Sequence, residues 1–259
     1  MDPVKKLSRS VRGLSVLVTG AAGGMGRATA HAFADEGAKV AVTDCNGDGA
    51  QAVAREIADG GGTAKAWMLD VSDGDAIKRV IGEIAAEFGG LDVLINNAGI
   101  PAGLPLEHAR YDDVWDRALS ILLTAHQRTV RAALPHLRKS RCPRIVNIAS
   151  TEALGATGRD SPYAAAKAGV VGLTRALAVD LGPEGITVNC VCPGPVRTGM
   201  TAPIRRTTRT PMPAAAPRCA ATAILRRSRT SRSACACRPP ASLPARSSRW
   251  TADWMARNA

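Results

Sequence analysis

Tyr163 and Lys167 stand four residues apart in the run Tyr-Ala-Ala-Ala-Lys. On a helix they share one face, so the ammonium can sit near the phenol. A phenol of pKa about 10 is a poor base at neutral pH, and a nearby cation stabilises its phenolate. Such a pair can take a proton from an alcohol or return one to a carbonyl; taken alone, it is also an ordinary amphipathic pair. A second stretch with chemical potential is Thr19-Gly20-Ala21-Ala22-Gly23-Gly24-Met25-Gly26. Glycines there permit a tight turn and let backbone N–H groups approach a pyrophosphate, whose charge a helix N-terminus favours. A plain structural turn is the alternative. Asp44 follows Gly20 by 24 residues. A carboxylate at that place can accept hydrogen bonds from ribose hydroxyls and repels a 2′-phosphate, and Cys45 and Asn46 bring no cation to offset it. That favours NAD over NADP; the other reading of Asp44 is a turn residue before Gly47.

The elements that must position these residues alternate along the chain. Short β-type runs are expected over 14–19, 39–43, 64–69, 91–95, 144–148 and 186–191. Helical stretches are expected over 24–36, 48–59, 73–88 and 161–181, with a long one over 112–139 interrupted or ended near Pro135. Strands alternating with helices imply right-handed crossovers and a parallel sheet covered on both faces, a doubly wound α/β fold. The glycine loop then lies between the first strand and the first helix, and Asp44 ends the second strand.

Bulk properties agree with one domain. The chain has 259 residues, 46% hydrophobic but only 3% aromatic, which suits a core of Ala, Val, Ile and Leu. Apolar runs are far shorter than a bilayer span, and no apolar stretch follows Lys5, Lys6 and Arg9 before Gly20, so neither a membrane span nor a secretory signal is expected. A cytoplasmic location follows as the default. The formal charge of +12 is misleading: twelve arginines against the single acid Asp253 fall in 205–259, so residues 1–204 carry only +1. A nucleic-acid partner would rest on that tail alone and is not expected. Cys190-x-Cys192 and Cys235-x-Cys237 lack the gap common in zinc knuckles, and the histidines at 31, 108, 126 and 136 are scattered. No metal site is expected, and the seven cysteines read as thiols in a reducing compartment.

Five blocks in order, TGAAGGMG, Asp70-Val71, Asn-Asn-Ala-Gly at 96–99, YAAAK at 163–167 and PGPVRTGM at 193–200, resemble the short-chain dehydrogenase/reductase family. The resemblance implies a Rossmann fold and an oxidoreductase that moves a hydride between a nicotinamide dinucleotide and a small-molecule alcohol or carbonyl substrate. It implies that Gly20, Gly24, Met25 and Gly26 hold the pyrophosphate, that Asp70 and Val71 hold the adenine, and that Asn97, Ala98 and Gly99 line the cofactor cleft. Pro193, Gly194, Val196 and Thr198 would contact the nicotinamide half. Ser150, Tyr163 and Lys167 match the catalytic serine, tyrosine and lysine: Ser150 would hydrogen-bond the substrate oxygen, Tyr163 would move the proton, and Lys167 would also hold the nicotinamide ribose. The family usually forms dimers or tetramers through its long helices and last strand.

Two departures stand out. Seven residues after Trp115, where the family usually has an asparagine supporting a water relay to the lysine, this chain has Leu122. An NAD-binding but catalytically silent member is therefore the alternative reading. After residue 204 periodicity disappears, and the family's lid helix and last strand have no counterpart. With suitable codons, 221–228 and 247–253 begun one nucleotide earlier read GYGDPEEI and VIPVDGG, the family text expected there. The expectation is a nucleotide-binding and catalytic domain over 1–204, and an irregular Arg/Pro-rich tail over 205–259 produced by a frameshift. A chain that truly carries this tail would expose a sheet edge and be weakly stable and poorly active.

Overall fold

The computed structural model describes residues 10–196. Strands β1 (Ser15–Thr19), β2 (Lys39–Asp44), β3 (Thr63–Met68), β4 (Val93–Asn96), β5 (Arg144–Ile148) and β6 (Thr187–Val191) form one parallel sheet in the order β3-β2-β1-β4-β5-β6. Between them run α1 (Gly24–Asp35), α2 (Gly47–Asp59), α3 (Gly74–Phe88), α4 (Tyr111–Leu119), α5 (Ala125–Leu137) and α6 (Ser161–Leu181). This is the doubly wound α/β fold expected from the alternation. The tail beyond 204 and Thr198 lie outside the described residues.

Central strands are buried on both faces, which is why they read as continuous apolar runs. All five residues of β1 are buried. Its Leu17 joins Leu94 and Ile145 in a layer with α3 and α5, while Val16 and Val18 join Val40 and Val42 in a layer with α1 and α2. Helix α3 shows how sequence sets this packing. Ile77, Val80, Ile81, Ile84 and Ala85 form one buried stripe at helical spacing. Asp73 caps its start by accepting from the Asp75 and Ala76 amides, and Gly89 ends it in a left-handed conformation (φ 77°).

The long helical stretch ends near Pro135, as expected, and is also interrupted earlier, which was not expected. A single wider π turn at Ser120–Thr124 separates α4 from α5, and α5 runs through Pro135 to Leu137. Pro135 falls in the last turn, where its missing N–H removes one hydrogen bond of a helix about to stop. The strand order reverses between β1 and β4, and a ligand cleft forms outside the carboxyl ends of strands at such a switch point.

Candidate active site

The glycine loop lies at that switch point, between β1 and α1. Gly20 adopts φ 65°, and a Cβ there would come within 2.6 Å of the Ala98 Cα. A Cβ on Gly26 would run into the Gly20 carbonyl oxygen and the Asn97 side chain, so both positions need hydrogen as side chain. Gly24 also has a positive φ, 54°, while a Cβ on Gly23 would meet nothing within 4 Å. Helix α1 starts with no side-chain cap and no acidic residue in its first turn. Uncapped first-turn N–H groups beside an open glycine leave room for an anion at Gly20, Gly24, Met25 and Gly26. Met25 itself packs against the α1/α2 core layer.

Asn97 builds this loop as well as lining it. Its Nδ2 donates to the Thr19 and Gly20 carbonyls at 2.9 and 3.1 Å, and its amide and that of Ala98 both donate to the Thr19 hydroxyl at 3.0 Å. Asp44 accepts from the Ala22 amide at 3.0 Å through one oxygen and from the Asn46 amide at 2.9 Å through the other. The carboxylate is thereby held against the glycine loop at the end of β2. Asp70 accepts from the Ser72 amide and hydroxyl at 2.8 and 2.7 Å, and the buried Val71 lines a narrow void below the cleft with Ala98 and Ile121. Gly99 follows on the half-buried segment leaving β4.

Ser150, Tyr163 and Lys167 meet at the end of β5. Ser150 is extended (φ −163°) at the start of a single 3-10 turn, Thr151–Ala153, and its hydroxyl accepts from the Glu152 amide at 3.1 Å. It also hydrogen-bonds the Tyr163 phenol, which favours the phenolate. Lys167 is 3% exposed and donates to the Ile148 carbonyl at 2.7 Å, with its ammonium 5.8 Å from the Tyr163 ring centre. Burial pushes Lys167 down to about 8, opposed by the Cys190 and Cys192 side chains. The expectation that Lys167 pulls the phenol down is corrected here. Burial raises the Tyr163 pKa above the ordinary phenol value, and Asp160 and Glu152 add to the rise against the Ser150 hydrogen bond. Desolvation of an anion outweighs an ammonium that is turned toward a carbonyl. Asp160 is itself raised to about 6, by burial and then by Glu152. Pro193 closes this end: its carbonyl accepts from the Thr151 amide at 2.9 Å, and Gly194 beyond it faces open space. Val196 is half-buried.

Leu122 sits in the π turn, fully buried with Ala118, Ala166 and Ala102, and Tyr163 packs against the same cluster. Sequence reasoning missed two buried polar features nearby. One is a chain across the sheet: Asn96 donates to Asn147 at 2.9 Å, Asn147 donates to Thr174 at 3.0 Å, and the Thr129 hydroxyl reaches Asn96 at 2.7 Å. The other is His126, at the start of α5, which is 2% exposed and has no hydrogen-bond partner for either ring nitrogen. The polar residues at the strand ends gave the first a faint signal; scattered histidines gave the second none. Among the described residues no group of three or more metal-binding side chains comes together, and no helix is long and apolar enough to cross a membrane.

The profile of the short chain dehydrogenase family matches residues 15–209. The chain is 40% identical over 189 residues to the 3-oxoacyl-(acyl-carrier-protein) reductase of Escherichia coli, covering 73% of this chain and 76% of that protein. It is 40% identical over 187 residues to a meso-2,3-butanediol dehydrogenase of Serratia marcescens, covering 72% of each. A crystal structure of a dehydrogenase/reductase from Sinorhizobium meliloti superposes with TM-score 0.71 at 42% identity, over 74% of this chain and 76% of that one. With the glycine loop, the β2 carboxylate and the Ser-Tyr-Lys group on one parallel sheet, the chain belongs to the short-chain dehydrogenase family, whose members are oxidoreductases that bind a nicotinamide cofactor.

Proposed function

We propose that the chain transfers a hydride between NAD(H) and a secondary alcohol or its ketone, with Tyr163 as general acid and base. The convergence of Ser150, Tyr163 and Lys167 at the end of β5, beside the glycine loop, carries this reading. Bound nicotinamide supplies the carbon that gives or accepts the hydride. Tyr163 holds the moving proton at its hydroxyl, Ser150 hydrogen-bonds the substrate oxygen, and Lys167 holds the nicotinamide ribose. Gly20, Gly24, Met25 and Gly26 cradle the pyrophosphate; Asp70 and Val71 hold the adenine, with Asn97, Ala98 and Gly99 along the cleft. Pro193, Gly194, Val196 and Thr198 take the nicotinamide half. One relative is named for a 3-oxoacyl group on a carrier protein and another for a butanediol, so the substrate is assigned only as an alcohol or carbonyl.

The choice of NAD rests on Asp44, which has no neighbouring cation on its own strand end to attract a 2′-phosphate. Fluorescence titration is expected to show NADH binding at least about tenfold tighter than NADPH, with the gap narrowing in Asp44→Ser as like-charge repulsion is removed. Tighter binding of NADPH by the unchanged chain would overturn the assignment. A second reading is favoured by Leu122, whose buried apolar side chain stands beside Tyr163 in place of a group able to hold water. A silent member binds NADH but turns over nothing in a panel of secondary alcohols and ketones; turnover of any member of the panel removes that reading.

We also infer that 1–204 is the catalytic domain and 205–259 is read out of frame. The family match ends at residue 209, and about a quarter of each relative is unmatched. Resequencing the codons for 204–255 is expected to show a missing or extra nucleotide. An unbroken frame would remove this inference and strengthen the silent reading. With the frame intact, a homodimer or tetramer located in the cytoplasm is proposed.

A further inference from the structure

The chain leaves the sheet at Ser150 and returns to it through α6, with residues 151–160 as the loop between. Residues 154–159 are all exposed, so apolar packing does little to hold that loop. Hydrogen bonds hold its first half instead. The Ser150 hydroxyl accepts from the Glu152 amide at 3.1 Å, and the Thr151 amide donates to the Pro193 carbonyl at 2.9 Å. Glu152 is half-buried and turns its carboxylate along the loop. One oxygen accepts from the Thr157 amide at 2.7 Å and the other from the Thr157 hydroxyl at 2.9 Å. An ionised acceptor using both oxygens makes a firm closure.

The second half is held from the opposite side. The Tyr111 phenol and the Ser161 hydroxyl share a hydrogen bond of 2.7 Å, and a Cβ on Gly103 would stand 3.3 Å from the Arg159 carbonyl oxygen. Between the two holds, Arg159 adopts φ 65°, the only positive φ of a non-glycine residue among the described residues. Such a conformation persists where the surroundings impose it, and such sites cluster where geometry is used. We propose that Glu152 is a positioning residue for the proton transfer: its carboxylate, clamped on Thr157, steadies the turn whose amide fixes the Ser150 hydroxyl. With one lone pair taken by that amide, the Ser150 proton is left for the substrate oxygen or the Tyr163 phenol. Glu152 acts through Ser150 rather than on the reacting atoms. This role rests on the catalytic reading of Ser150 and Tyr163; the clamp itself does not.

Amide hydrogen exchange on the folded full chain, read by mass over residues 151–160, tests the clamp without any turnover. Glu152→Ala should exchange the Thr157 amide about tenfold faster than the unchanged chain. Thr157→Val, which loses the hydroxyl bond alone, should fall between them, and Thr157→Ser should recover most of the protection. The second measurement is kcat per NADH-binding site, with whichever alcohol or ketone of the panel turns over. Glu152→Ala should lower it about tenfold at an NADH Kd within about twofold of the unchanged chain, with the Thr157 variants in the same order. A merely structural role would cost stability and leave kcat per binding site untouched. Unchanged exchange in Glu152→Ala overturns the clamp. Faster exchange with unchanged kcat overturns the positioning role while the catalytic reading stands. No turnover by the unchanged chain overturns the catalytic reading and the positioning role with it, and the exchange rates still decide whether the clamp exists.

Discussion

Replacing Tyr163 with Phe is expected to lower kcat by about a thousandfold while leaving NADH binding within about twofold, because only the proton-carrying oxygen is removed. The ring stays packed on the Leu122 cluster and under the Lys167 ammonium, so the fold and the cofactor cleft lose little. The direction of the pH dependence follows from the raised phenol pKa. Tyr163 is kept protonated by burial, then by Asp160 and Glu152 against the Ser150 hydrogen bond. A protonated phenol is ready to donate, so ketone reduction should proceed across neutral pH. Alcohol oxidation needs the phenolate and should climb with pH without reaching a plateau near neutrality. Steady-state rates in both directions, with a cofactor titration of each variant, check this. If Tyr163→Phe retains more than about a tenth of the rate, another group carries the proton and the role given to Tyr163 is wrong.

The parts of this site that were legible in the sequence are those governed by local rules. A glycine loop between an apolar strand and an Ala-rich helix has few other uses, and Asp44 stands where β2 must end. The boundaries of β5 and α6 follow from composition, because a Val/Ile run and a proline-started helix leave little choice. What was not legible depends on contacts between distant segments. The π turn at Ser120–Thr124 has no breaker residue; it is a matter of how α4 and the turn pack on α6 while α5 packs on α3 and the sheet. The orientation of Lys167 is similar. Spacing places it beside Tyr163, but only the fold shows its ammonium on the Ile148 carbonyl, leaving burial to dominate the phenol. Asn97 was expected only to line the cleft, and its hydrogen bonds to the loop carbonyls require β1 and β4 to be neighbours.

His126 predicts a loss of stability in acid. Its pKa is pushed down to about 3, first by burial and then by the Lys167 charge, against an ordinary value of 6.5. The native state therefore holds the neutral imidazole, and this contribution is complete above pH 6.5 and is lost as pH falls from there toward 3. At about 1.4 kcal/mol per pH unit, roughly 2–3 kcal/mol disappears between pH 6.5 and 4.5. Lys167 changes nothing in that window, because it is lowered only to about 8 and is charged in both states below it. Asp160, raised to about 6, works in the opposite sense: the native state binds its proton more tightly, so stability is gained as pH falls through that range. Glu56 and Asp73 are lowered by their hydrogen bonds, and their contributions fade near pH 4 whatever stands at 126. The comparison of the unchanged chain with His126→Val isolates the imidazole from all three carboxylates. Urea unfolding at pH 7 and pH 4.5 should show the variant losing roughly 2–3 kcal/mol less on acidification than the unchanged chain. Equal losses in the two would mean that His126 is solvated or partnered in solution, and that the pocket under Val71 and Ala98 opens to water.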